Sequence, residues 1–316
     1  MLTRSLENTT ISVYFMSILS TTLPFPDVLY PFVAAVFYCA SIMLVKYASQ
    51  SKKLSGLSML VMNNLLSGIV FIPAIFFESE LPDVSIIWQP IIASAFCAVG
   101  NIATFTCAER GEVSLMTPLM GIKTLMVILF ARVILKDLQL PHTITIAGII
   151  CCVAVFIMGY TKKAFRTKKL GITIVLALTA CLSYALCDIF IQKYAPNFTK
   201  NAMLSLTSIA MPLSIIPLLP RFFREVSVCD KKTLFLGGSS AVLMIAEMYL
   251  IFISISGELG ASLCNILYNT RGLISVLLIY FLGKHLVKLR ELSNTSAIQR
   301  SIGAVLILVA VVIALQ

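Results

Sequence analysis

Residues 299–315 read QRSIGAVLILVAVVIAL, and after Arg300 the run carries no charged side chain. A helix needs about 20 largely apolar residues to cross the hydrocarbon core of a bilayer. Inside that core the backbone finds no water to bond, so a spanning run of this kind reads as a helix. Nine further segments of similar character lie upstream, near 28–48, 57–77, 85–107, 113–134, 143–160, 170–193, 202–220, 233–255 and 259–282. The expectation is an all-α membrane protein with ten transmembrane helices.

The composition agrees. Of 316 residues 59% are hydrophobic and 12% charged, with a mean hydropathy of +0.98. That charged share is about half of what soluble proteins carry, and a soluble domain of this length could not bury so much apolar surface. A soluble enzyme, a nucleic-acid-binding protein and a secreted disulfide scaffold are excluded. Most of the nine cysteines fall in or at the ends of apolar runs without a C-x-x-C pair, and His142 and His285 lie far apart. Metal and redox sites need clustered ligands, so the cysteines read as small apolar helix residues, and neither metal nor cofactor is called for. Residues 1–27 read as a tail, because the mildly apolar run Ile11–Leu23 is too short to span and lacks the positive n-region of a signal peptide.

Two short matches recur at nearly one offset. Gly111-Glu112-Val113-Ser114-Leu115 stands before the fourth segment and Gly257-Glu258-Leu259-Gly260-Ala261 before the ninth, 146 residues apart. Lys46-Tyr47-Ala48 ends the first segment and Lys193-Tyr194-Ala195 the sixth, 147 apart. A duplication of five helices is the natural reading, and an odd number of spans per copy forces the copies into opposite orientations, as in many secondary transporters. The expected organisation is a first repeat over 28–161, a basic linker over 162–169 and a second repeat over 170–316. Of the 24 Lys and Arg, 17 fall in the joints after the odd-numbered segments and 5 in the other joints and the tails. The positive-inside rule places the richer side in the cytoplasm and both termini opposite.

The remaining two cations stand within spans: Lys123 in the fourth segment and Arg271 in the ninth, each about halfway along. Asp188 lies in the sixth and Glu247 in the eighth. An ionised group at mid-span costs about 2.5–3.5 kcal/mol or more, so these four mark a binding site or neutralise one another as buried pairs. As a site, Lys123 and Arg271 attract an anionic group, and Asp188 and Glu247 balance charge, receive an amine or carry a coupling proton. Asn265, Tyr268, Asn269 and Arg271 share helical spacing. Asn63, Asn64 and Asn101 interrupt apolar runs and read as solute contacts or as interhelical glue. Tyr38 and Tyr184 are candidate cavity liners.

Glu109-Arg110-Gly111-Glu112-Val113-Ser114-Leu115-Met116-Thr117-Pro118-Leu119 resembles the start of the fourth helix in the drug/metabolite transporter superfamily, of the kind with two EamA-type repeats. Ile302-Gly303-Ala304-Val305-Leu306-Ile307-Leu308 is similar to that family's last helix, and Ile134-Leu135-Lys136-Asp137 matches its usual Leu-Gly-Glu loosely. Gly121-Ile122-Lys123 resembles the fourth-helix lysine of triose-phosphate and nucleotide-sugar translocators. Asn269-Thr270-Arg271 falls where those carry a basic motif, here without its second basic residue. The resemblance implies that Lys123 and Arg271 hold an anionic group.

The expected activity is secondary transport of a small organic metabolite, anionic or zwitterionic as an amino acid is, by alternating access. The alternatives are a proton-coupled exporter of drugs or toxic metabolites and, from another class, a membrane-embedded lipid-modifying enzyme. The partners expected are the solute, a proton or counter-substrate, membrane lipid and a homodimer mate, with no nucleic acid. The expected location is a bacterial inner membrane, with an organelle membrane as the alternative.

Overall fold

The computed structural model describes residues 25–49, 54–78, 82–111, 116, 119–137, 140–160, 169–282 and 294–316. The tail through residue 24, the basic linker at 161–168, Glu112–Leu115 and His285 lie outside them. The helices are α1 (Phe25–Ser49), α2 (Gly56–Phe71), α3 (Trp88–Arg110), α4 (Ile122–Ile134), α5 (His142–Gly159), α6 (Leu170–Tyr194), α7 (Lys200–Thr207), α8 (Ala210–Ser214), α9 (Leu219–Ser227), α10 (Lys231–Ser256), α11 (Gly260–Tyr268), α12 (Arg271–Leu282) and α13 (Asn294–Ala314). No strand occurs among the described residues. Among the described residues seven stretches are long and apolar enough to cross a membrane: Asp27–Val45, Gly56–Phe77, Val84–Cys107, His142–Gly159, Leu170–Asn197, Lys200–Ser227 and Lys231–Ser256. The chain is an all-α membrane protein.

The helix starts follow local chemistry. Ser55 caps α2 by accepting the Ser58 amide at 3.2 Å, Thr199 caps α7 through the Ala202 amide, and Asp230 caps α10 through the Thr233 amide. Each side-chain oxygen satisfies a donor that the first helical turn leaves without a partner. Two helix ends are nearly identical. The glycine after α3, Gly111, has φ −90° and ψ −159°, and the glycine after α10, Gly257, has φ −93° and ψ −160°.

Three spans depart from the continuous helices expected. The seventh breaks into α7, α8, a short 3-10 turn and α9, because Pro212 and Pro217 lack the amide that the helical ladder needs. The ninth divides at Asn269-Thr270, where the Thr270 amide reaches back only to Leu267 and the Gly272 amide only to Asn269. In the fourth, the Lys123 and Thr124 amides likewise close three-residue turns, onto Met120 and Gly121. Lys123 and Arg271 therefore stand in the first turn of α4 and α12, not halfway along unbroken helices.

The interior is built of small residues. Ala34 and Ala35 of α1 and Ala177, Ala180 and Ala185 of α6 are fully buried. Ser41 of α1 and Ser240 of α10 join hydroxyl to hydroxyl at 2.8 Å. The outer face is apolar: Phe76 and Phe77 are each 83% exposed, as a lipid-facing surface requires. The most extensive pairings are α1 with α10, α3 with α6, and α5 with α13. Exchanging the chain halves maps the first pairing onto the second and the third onto itself.

At one end a polar knot joins α2, α3 and α9. Arg221 bonds Glu225 at 2.9 Å and Glu109 at 3.2 Å, while Glu225 accepts the Ser55 amide at 2.7 Å and Glu109 the Leu57 amide at 3.0 Å.

Gly100 sets the approach of α3 to α6, since a Cβ placed there would meet the Tyr184 ring at 2.8 Å. Gly100→Ala is expected to destabilise the detergent-purified protein by about 1–3 kcal/mol through overpacking. Thermal unfolding checks this; an unchanged midpoint would show that the ring moves freely.

Candidate functional site

The site grows from the two interrupted segments. Gly260, with φ +66°, begins α11 in the left-handed region that glycine adopts without strain. A Cβ there would also strike Gln192, whose Oε1 accepts the Ala261 amide at 2.8 Å. This fastens α11 to α6 and carries Asn265 to Asp188. Lys123 Nζ and Asp188 Oδ2 form an ion pair at 2.8 Å. Asn265 Nδ2 donates to the same Oδ2 at 2.8 Å and to the Ala261 carbonyl at 2.9 Å. A carboxylate 6% exposed is thus met by a cation and an amide, which lowers the cost of burying it.

Arg271 is held differently. Its Cζ lies 5.0 Å from the Tyr38 ring centroid and 4.6 Å from that of Tyr268. Among the described residues it has no carboxylate within ion-pair distance. Two aromatic faces attract a guanidinium by their quadrupoles, and no carboxylate among the described residues closes on its fork. The rings of Tyr38 and Tyr268 meet edge to face at 5.9 Å, and the Tyr268 hydroxyl donates to Glu247 Oε1 at 2.5 Å. Asn269 Nδ2 donates to Thr124 Oγ1 at 2.7 Å, tying the break before α12 to the start of α4.

A third group lies beside Lys123, whose Nζ is 5.6 Å from the Tyr184 ring. The Tyr184 hydroxyl donates to Asn101 Oδ1 at 2.8 Å and lies 3.1 Å from Thr104 Oγ1. Among the described residues Nδ2 of Asn101 reaches only Cys97 Sγ, at 3.8 Å.

Of the residues singled out in the sequence, Tyr38, Asn101, Lys123, Tyr184, Asp188, Glu247, Asn265, Tyr268, Asn269 and Arg271 join this network. Asn63 and Asn64 do not. Nδ2 of Asn64 donates to the Met211 carbonyl at 3.3 Å, and the Oδ1 atoms of both are buried without a protein partner. Sequence reasoning missed Thr104 and Thr124. It also left one spacing unused: the 146 residues between Gly111 and Gly257 also separate Tyr38 from Tyr184 and Asn101 from Glu247. Projecting each polar residue of one half onto the other would have paired them.

None of the curated proteins matches the chain. A crystal structure of another protein superposes with a TM-score of 0.68 at 13% identity, over 92% of this chain and 97% of that one; the likeness is one of fold. Neither this likeness nor the family match bears on the resemblance to triose-phosphate and nucleotide-sugar translocators. Residues 26–160 of this integral membrane protein are similar to the EamA-like transporter family, a likeness consistent with the drug/metabolite transporter superfamily.

Proposed function

We propose that the chain is a secondary carrier for a small organic solute with an anionic or zwitterionic head group. The observation that carries this reading is Arg271, an interior cation with two tyrosine faces against it and no ion-pair partner among the described residues. Such a group costs free energy until an anion arrives, and guanidinium binds carboxylate in a bidentate fork. Lys123 is already neutralised by Asp188 and serves as a wall of the site.

Alternating access of two inverted five-helix repeats is the proposed motion. The matching glycine ends of α3 and α10, the exchange-symmetric helix pairings and the recurrence of tyrosine at 38 and 184 support it. Glu247 is tied through Tyr268 to the same guanidinium. It takes a proton when the solute is an anion, or meets the ammonium of a zwitterion; in both cases Arg271 is freed for the solute carboxylate. The EamA match supports transport over membrane-bound enzymology.

Uptake into proteoliposomes tests this with a panel of short monocarboxylates, dicarboxylates and amino acids. Arg271→Gln is expected to weaken uptake of the accepted solute at least tenfold, the scale of a charge-assisted bond of roughly 1.5–3 kcal/mol, and Arg271→Lys to keep part of it. Uptake that survives neutral substitution of both Lys123 and Arg271 would overturn the assignment. Glu247→Gln should abolish solute-driven proton movement, or selectively lose zwitterions, while anion exchange persists.

The Lys123–Asp188 pair yields a separate prediction. Lys123→Met alone should destabilise the protein by about 3–5 kcal/mol, because it strands a buried carboxylate, and adding Asp188→Leu should recover most of the loss. Thermal unfolding of the three variants measures it, and additive losses would mean that the groups are not coupled.

A further inference from the structure

The two halves of the site share a plan and differ at one position. In one half a tyrosine of α1, Tyr38, faces the cation Arg271. In the other a tyrosine of α6, Tyr184, lies beside the cation Lys123. Asn101 of α3 accepts from the Tyr184 hydroxyl, and at the position 146 residues later α10 carries a carboxylate, Glu247, which accepts from Tyr268. The first half carries a cation with no ion-pair partner among the described residues, and an acid. In the second half the cation is neutralised by Asp188, leaving a neutral group made of Asn101, Thr104 and Tyr184.

Asn101 has donor capacity left over. Its Oδ1 is engaged by the Tyr184 hydroxyl at 2.8 Å, whereas among the described residues Nδ2 meets only a thiol sulfur at 3.8 Å, a weak acceptor. A half-buried amide whose donors lack a strong acceptor offers them to whatever polar atom comes within reach, and losing such a bond selectively disfavours ligands that cannot make it.

We infer that Asn101 is a specificity-determining residue: it donates from Nδ2 to an uncharged oxygen, a hydroxyl or carbonyl, at the end of the solute remote from the carboxylate held by Arg271. The solute class is therefore a carboxylate bearing a hydroxyl or carboxamide at its far end. This rests on the carrier reading above and narrows it. Thr104 and Tyr184 hold the Asn101 side chain in place and supply a hydroxyl that can accept from the same group.

The test compares affinities within a chain-length series of ω-hydroxy carboxylates, their methyl isosteres and their ω-amino counterparts. They are measured by competition for uptake in proteoliposomes and by ligand-induced thermal stabilisation of the purified full-length protein. The wild type should prefer the hydroxyl compound over its isostere by about tenfold at the best length, the worth of one hydrogen bond. Asn101→Leu should bring that ratio close to one. Asn101→Asp, which replaces the donors by a carboxylate as in the other half, should turn the preference toward the ω-amino compounds. The Asp variant keeps side-chain size and polarity, so the proposal stays exposed if the Leu variant fails to fold. A wild type that binds these carboxylates without preferring the hydroxyl, or variants that weaken all three classes equally, would overturn the role of Asn101 and leave the carrier reading intact. Failure of every carboxylate to bind the wild type, or binding unchanged by Arg271→Gln, would overturn both.

Discussion

A charge between membrane helices must be met by protein, because lipid offers it nothing. Four ionisable side chains stand in such positions among the described residues, and the protein meets them in two ways. Lys123 and Asp188 neutralise each other at 2.8 Å, with Asn265 completing the carboxylate. Arg271 is met by the faces of two tyrosines, and Glu247 by a tyrosine hydroxyl. The first arrangement is close to self-sufficient. The second is not, since aromatic faces stabilise a guanidinium without supplying the carboxylate that its planar fork fits. The unequal treatment of the two cations separates the part of the network that holds the helices from the part that can answer to a ligand.

Bringing the charges together depends on interrupted helices and small residues. Lys123 and Arg271 both follow places where the backbone tightens from four-residue to three-residue turns, and the bond from Asn269 to Thr124 joins those places at 2.7 Å. Close packing lets the tyrosines reach the cations. Gly100 leaves room for the Tyr184 ring, and the buried Ala34 and Ala35 lie in the same cluster as Tyr268. In lipid such packing supplies much of the attraction between helices, because apolar surface gains little by leaving one oily medium for another.

Much of this was legible in the sequence, and the exceptions have physical reasons. Apolar runs announced the membrane class because spanning length and charge depletion are imposed by the bilayer. The four interior charges stood out for the same reason, and ten of the twelve residues singled out entered one network. The breaks in the fourth and ninth segments were not legible, because Asn269-Thr270 and Gly121 leave hydropathy nearly unchanged. Asn63 and Asn64 looked like Asn101, since an asparagine in an apolar run reads the same whichever neighbour it faces. Thr104 and Thr124 gave no signal, because a helical threonine commonly turns its hydroxyl to its own backbone. The spacing of 146 residues that separates Tyr38 from Tyr184 and Asn101 from Glu247 stands in the sequence, but it becomes meaningful only once α3 and α6, and α1 and α10, are known to pack together.

The ends of the bundle follow a different logic. The first turn of α2 presents amides that no helical carbonyl can satisfy. Ser58 uses the cap at Ser55, and the Ser55 and Leu57 amides bond the carboxylates of Glu225 and Glu109. Negative charge is favourable at that end of a helix, yet two carboxylates brought together repel. Arg221, bonded to both, removes the repulsion and joins α3 and α9 to the start of α2. At the interrupted fourth and ninth segments the chain does the reverse and places cations in the first turn of α4 and α12, where the helix end is already positive. Acid at the start of α2 is what helix electrostatics favours and needs no ligand to complete it. Cations in the first turns of α4 and α12 run against that preference, so they require negative charge from elsewhere. Asp188 supplies it to Lys123, and the guanidinium of Arg271 keeps the unmet share.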